Sequence, residues 1–194
     1  MQQDFEIFME KAKSFHGDVC PGLALGTRLT LAAMNALDMD PAKRNRDLIV
    51  LAEIDRCMTD AVQAITGCSL GHRTLKYINY GRFAAVFYDP THQRAVRVSQ
   101  RKESTERSGD MTQFYRTAPE EELVRIEEVK LSLDPYDLPG KPQRIDECSR
   151  CGERVFDNRT VNVEGRLTCR ACANGAYYSS ASGDEAKSKG VRSP

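Results

Sequence analysis

The chain has 194 residues, and 28 Lys+Arg balance 28 Asp+Glu to a formal net charge of zero, which argues against electrostatic nucleic-acid binding by the chain as a whole. With 40% hydrophobic residues, 29% charged residues and eight prolines, the composition is that of a globular protein with one good core and a small appendage, and it excludes disorder throughout. The longest uncharged stretches, such as Leu29–Leu37, stop far short of the ~20 apolar residues of a membrane-spanning helix, and Asp4 and Glu6 stand where a signal peptide would carry positive charge. No membrane association is expected, and the expected location is cytoplasmic.

In chain order, Phe5, Phe8, Met9, Ala12 and Phe15 recur at helical spacing and predict an amphipathic helix over 4–15 with Asp4 as its N-cap. Pro21 suits a first helical position, and Leu25, Leu29, Ala32, Ala33 and Leu37 carry a largely apolar helix to about Asp38. Gly22 and Gly26 in it invite close packing. After the polar connection 41–46, the run Leu48-Ile-Val-Leu51 predicts a short buried strand. Helical periodicity resumes from Arg56 to Thr66 and stops at Gly67.

Segments around 75–78, 83–88 and 95–98 alternate or run apolar between Gly81 and Asp89-Pro90, which predicts an antiparallel meander. Residues 100–111 are charged and Ser/Thr-rich and read as an exposed excursion. Pro119-Glu-Glu-Glu-Leu-Val opens a further helix, with three acids in its favoured first turn. Residues 134–143 hold three prolines and read as a linker, and the Ser/Gly/Lys segment after Tyr178 reads as a flexible tail. The expected architecture is α+β, with helices packed on a largely antiparallel sheet in a domain over 1–140. A four-cysteine finger over 141–178 and a tail over 179–194 follow it.

The seven cysteines divide into three scattered and four paired, a pattern unlike a disulfide framework. Cys148-Ser-Arg-Cys151 and Cys169-Arg-Ala-Cys172 are two C-x-x-C knuckles separated by 17 residues. Two residues between thiolates let both sulfurs of a tight turn face one tetrahedral ion, and a segment this small needs such a staple to fold. One structural zinc ion on Cys148, Cys151, Cys169 and Cys172 is the expected cofactor, with an iron–sulfur centre as the competing reading. Four cysteine ligands leave no position for substrate. The residues 144–172 hold six arginines against five acids, a balance that favours protein contact or stabilisation over nucleic-acid binding. Cys-x-x-Cys-Gly-Glu followed by the second knuckle looks like a treble-clef finger, with a short hairpin between the knuckles and a helix beginning near Cys172.

Of the other three cysteines, Cys20 stands at a helix entrance beside Pro21, where the helix dipole lowers a thiol pKa, and Cys57 stands in the same situation at the next helix start. Two such starts can face each other, so His16, Cys20 and Cys57 form a candidate cluster. It would either bind a second, soft divalent metal ion with an open position or act as a reactive thiol pair. The competing reading is that these are core cysteines. Asp60 and Gln63 follow Cys57 at one-turn intervals and could line the same site. Cys68 lies about 15 Å further along that helix and cannot share it. His72 and Arg73 follow Gly71 in a polar loop with a weak claim to bind an anion, and His92, Tyr80 and Lys76 read as surface residues.

Three motifs together, His16-Gly-Asp-Val-Cys20-Pro-Gly22, Cys57-Met-Thr-Asp60-Ala-Val-Gln63 and Thr66-Gly-Cys68-Ser-Leu-Gly71, with Leu75 and Tyr80-Gly-Arg-Phe-Ala84 after them, resemble the FmdE family, named for the E component of formylmethanofuran dehydrogenase, over about residues 5–140. The resemblance implies an α+β core, a homodimer, and in some members an appended zinc finger. It supports the His16, Cys20, Cys57 cluster. No segment resembles a molybdopterin-binding or metal-hydrolase chain, so the resemblance implies a metal-binding accessory protein of one-carbon or metalloenzyme metabolism with a metalloenzyme or other protein partner. The alternatives are a thiol- or metal-dependent enzyme and a zinc-finger regulator.

Overall fold

Helix α1, Gln2–His16, opens the fold in the computed structural model, which describes residues 2–43, 45, 47–101, 109–179 and 181. Phe5, Met9 and Ala12 form its buried stripe. Asp4 lies within its first turn and does not cap it. The helix starts two residues earlier than expected because the preceding glutamines are adequate helix formers. Helix α2, Pro21–Ala36, is capped by Cys20 and has Pro21 in its first turn. It is buried nearly all round, and the hydroxyls of Thr27 and Thr30 donate to Leu23 O and Gly26 O at 3.0 and 2.8 Å, which satisfies them in a dry environment.

Strand β1, Ile49–Ala52, leads into helix α3, Met58–Thr66, which ends at Gly67 in the left-handed region with φ 75°. Strands β2 (Leu75–Tyr77), β3 (Ala84–Asp89), β4 (Arg94–Gln100) and β5 (Val124–Glu128) complete a five-stranded sheet of order β2-β1-β3-β4-β5. The expected meander requires correction at β2, which pairs in parallel with β1 through Val50↔Leu75 and not with β3. The chain leaves β1 and crosses by α3 before returning, and such a crossover delivers the next strand in the same direction. The other three pairings are antiparallel. Val50, Ala52, Phe87, Val96 and Val98 are buried on one face, the core side, and α2 packs across β4 and β5.

Two further expectations are corrected between β4 and β5. Helix α4, Met111–Thr117, follows the segment expected to be an excursion, because Asp110 caps it by accepting from Thr112 N and Gln113 N at 2.9 and 3.2 Å. Residues 102–108 of that excursion lie outside the described residues. The glutamate-rich helix α5 is a single turn, Glu120–Leu123, and runs straight into β5. There, pairing Val98↔Ile126 and Gln100↔Val124 satisfies the backbone in the ladder.

A second compact unit begins at Leu133. Its 3-10 turn, Pro135–Asp137, precedes two hairpins where the sequence suggested one. Strands β6 (Ile145–Glu147) and β7 (Arg154–Phe156) flank the first knuckle, and β8 (Thr160–Val163) pairs with β9 (Arg166–Cys169) across Glu164 and Gly165, both at positive φ. Helix α6, Arg170–Asn174, follows. It starts ahead of Cys172 because Cys169 caps it. Knuckle, hairpin and helix in this order make the treble-clef-like arrangement. Of the expected tail, only 179 and 181 are among the described residues.

Candidate metal centres

The finger brings its four thiols together from two local devices. Cys148 and Cys151 sit on the β6–β7 turn, where Gly152 takes φ 75°. Cys169 caps α6 and Cys172 lies in its first turn, so that Cys172 N donates to Cys169 Sγ at 3.3 Å. All four sulfurs lie within 4.8 Å of one another, and Cys151 Sγ stands 4.0 Å from Cys169 Sγ. Sulfurs ~2.3 Å from a tetrahedral zinc ion are ~3.8 Å apart, so the quartet fits the ion.

Its electrostatics point the same way. The N–H of Cys169, 3.2 Å from Cys148 Sγ, leads the groups that hold the Cys148 thiol down to about 6. Cys172, beside Cys169 and Cys151, is pushed up to about 12. One thiolate forms readily and the last resists, because four negative sulfurs in one place need a cation among them. Arg150 Nη1 donates to Cys172 O at 2.7 Å and ties the two knuckles together.

The second cluster is assembled from three helix ends. His16 is the last residue of α1, Cys20 caps α2, and Cys57 precedes α3. The side chains of His16, Cys20 and Cys57 are half-buried, with their ligand atoms within 4.8 Å of one another. His16 Nε2 is 3.8 Å from Cys20 Sγ, which also accepts from Leu23 N at 3.3 Å. Gly22 lies beneath the two cysteines, where a Cβ would meet Cys57 Cβ at 3.4 Å and Cys57 Sγ at 3.6 Å.

Asp60 Oδ2 stands 2.7 Å from His16 Nδ1. Gln63 Nε2 in turn donates to Asp60 Oδ1 at 3.4 Å. Helical spacing alone places both residues as lining of an open coordination position, yet they stand behind the imidazole. With Nδ1–H given to the carboxylate, Nε2 is the nitrogen left to face the thiols, the arrangement of a carboxylate–histidine–metal triad. The expectation of a lowered Cys57 thiol is also corrected. Burial pushes it up and Cys20 adds to the effect, while the side chain makes no capping bond that would expose it to the helix amides.

Cys68 is separate and buried, with its S–H donating to Leu48 O at 3.2 Å and burial pushing its pKa up. His72 Nδ1 pairs locally with Ser69 Oγ at 2.8 Å, and His92 Nδ1 with Asp89 Oδ2 at 2.6 Å. Neither histidine joins either cluster. Sequence reasoning missed the positioning role of Asp60. Its one-turn spacing from Cys57 was visible, but a contact across 44 positions was not. It also passed over Glu53, whose 5% exposed carboxylate gathers Arg97 and Arg82.

A family model described as FmdE, Molybdenum formylmethanofuran dehydrogenase operon, matches residues 15–134, which include His16, Cys20, Cys57 and Asp60. The chain belongs to the FmdE family. A second model, the prokaryotic dksA/traR C4-type zinc finger, matches residues 143–178 of this FmdE-family chain. A probable S-adenosyl-L-methionine-binding protein of Archaeoglobus fulgidus is 28% identical over 197 residues, which cover 87% of this chain and 52% of that protein. The chain thus spans about half the length of that curated relative. Among solved structures, a tungsten formylmethanofuran dehydrogenase FmdE-like protein from Syntrophus aciditrophicus is 25% identical with a TM-score of 0.62, over 90% of this chain and 94% of that one.

Proposed function

We infer that this FmdE-family protein carries two metal ions of different purpose: a structural zinc in the finger and a second transition-metal ion on His16 Nε2, Cys20 Sγ and Cys57 Sγ. The observation that carries the reading is the convergence of these three side chains, their ligand atoms within 4.8 Å, with Asp60 fixing the imidazole from behind. Two thiolates and one imidazole suit a borderline-soft ion such as zinc. Three protein ligands leave one tetrahedral position for a thiol, water or a group from a partner, unlike the closed finger site.

The role that fits is that of an accessory protein which holds or passes a metal ion in one-carbon or metalloenzyme metabolism. The connection of both the family and the Syntrophus protein with formylmethanofuran dehydrogenase supports this direction. The protein acts in the cytoplasm as a homodimer with a metalloenzyme partner. Among the described residues no helix is long and apolar enough to cross a membrane. A second reading, an enzyme, draws on the open position, where a bound water would be activated.

Elemental analysis of untagged protein tests the inference. Wild type should carry two ions per chain and the Cys20→Ala/Cys57→Ala variant one. One zinc ion in both proteins would overturn the core site.

A further inference from the structure

The sheet face opposite the helices carries a second chemistry. Along β4, Val96 and Val98 are buried on the core side, so the alternating residues Arg97 and Ser99 project from the other side, and Arg101 follows just past the strand end. Arg97 lies opposite Val86 and Glu127, and Ser99 opposite Ala84 and Arg125. Arg97, Ser99 and Arg101 line a cleft of about 480 Å³ with Arg82 and Phe83. That volume is in the range of small-molecule sites, roughly 300–1,000 Å³.

The arginines are held in place from behind. Glu53 takes Arg97 in a two-pronged contact, Nε to Oε1 at 2.8 Å and Nη2 to Oε2 at 3.0 Å. It also takes Arg82 Nε at 2.7 Å. Arg82 stands 4.8 Å over the Tyr80 ring, and Arg101 Nε donates to Val124 O at 3.0 Å. For Arg82 and Arg101 these contacts use the inner nitrogen. Among the described residues, the terminal nitrogens of Arg82 and Arg101 have no partner. Among the described residues, no carboxylate lines the cleft.

Among the described residues, Arg82, Arg97, Arg101 and Arg125 form ion pairs with Glu53 and Glu127 only, Arg125 pairing with Glu127 at 2.8 Å, which leaves two positive charges over among them. A phosphate monoester carries about −1.5 to −2 charges at neutral pH and offers oxygens in the geometry a guanidinium fork matches. Guanidinium planes accept stacked rings, as the Arg82 guanidinium over the exposed Tyr80 ring shows.

We propose that this cleft is a binding site for an organic phosphate with a planar ring, its phosphate gripped by Arg82 and Arg101 and its ring stacked on a guanidinium plane, with Glu53 as the positioning residue for the Arg82 and Arg97 pair. The site shares no residue with either metal centre.

Calorimetric titration of the full-length, zinc-loaded protein at low salt tests it with three probes: AMP, adenosine and inorganic phosphate. AMP should bind saturably, with adenosine and phosphate each at least about tenfold weaker, and the affinity should fall as salt rises. Arg82→Gln/Arg101→Gln should weaken AMP about tenfold or more. Ser99→Asp, which places a carboxylate in the cleft while keeping every arginine, should abolish AMP binding at an unchanged urea midpoint. AMP binding that is absent, that survives both variants, or that adenosine matches would overturn the phosphate site. Phosphate binding as tightly as AMP would overturn the role given to the ring.

Discussion

Adding one methyl group at Gly26 tests how the two cysteine-bearing helices are held. A Cβ there would stand 2.7 Å from Met58 Cα and 3.2 Å from both Met58 Cβ and Ala61 Cβ. Carbon atoms rest ~3.5–4.0 Å apart, so the closest approach is short by about 1 Å. The offending atom is backbone, and no rotamer change relieves it. Helices α2 and α3 must separate instead. Overpacking of this kind costs about 1–3 kcal/mol, and the upper end applies where backbone is struck. Alanine returns about 1 kcal/mol through its helix propensity. Gly26→Ala should therefore destabilise the protein by about 2 kcal/mol, which at an m-value of about 2 kcal/mol/M lowers the urea midpoint by about 1 M. Gly22→Ala is the control: its Cβ meets nothing closer than 3.4 Å, so the midpoint should hold or rise slightly. Circular dichroism at increasing urea reads both. Because Cys20 and Cys57 stand at the starts of α2 and α3, Gly26→Ala should also weaken metal at the core site in chelator competition. A Gly26→Ala midpoint equal to or above wild type would refute the account of helix spacing.

Three other outcomes follow from the contacts described. Asp60→Asn should lower the metal affinity of the core site about 10–100-fold in competition with a chromogenic chelator, because the carboxylate no longer fixes the His16 tautomer, while the finger keeps its zinc. Equal affinity in the variant would remove Asp60 from the site. Glu53→Gln should cost about 3 kcal/mol at pH 7, the low end for a broken buried pair because Arg82 is more than half exposed. Burial raises the Glu53 carboxyl, but Arg97 and Arg82 outweigh it and hold it below its usual range. Its contribution is therefore complete above an unfolded pKa of about 4.3 and is lost as the pH falls through the lower folded value. The gap between wild type and variant should narrow below about pH 4, and a gap independent of pH would show that the charge is not its source. Zinc removal by a strong chelator should collapse the NMR signals of 145–174 and leave those of α2 and β3 in place, and acidification should release zinc as protons compete for the thiolates. Persistence of the finger signals without metal would refute the staple role.

What the residues settle alone is what depends on neighbours a few positions away. The two knuckles, Pro21 opening α2 with Cys20 before it, and Gly67 closing α3 in the left-handed region are local events, decided by turn geometry, a missing N–H and a missing Cβ. The buried run at β1 and the stripe on α1 are legible for the same reason. Pairing is different. Leu75–Tyr77 carries the same apolar pattern whether it runs parallel to β1 or antiparallel to β3, and only the crossover through α3 decides. The glutamates at 120–122 favour a helical turn, yet the open edge of β4 takes the next five residues as strand. The second cluster lies between these extremes. His16, Cys20 and Cys57 were visible as helix ends, but it is the packing of α1 and α2 on α3 that brings them within reach and turns Asp60 onto His16 Nδ1. Glu53 and Arg97, also 44 positions apart, meet only because β1, β3 and β4 set them on one face. Short-range sterics and chelate spacing are written in the sequence, whereas contacts across the sheet and between helices exist only once the apolar core has fixed which surfaces meet.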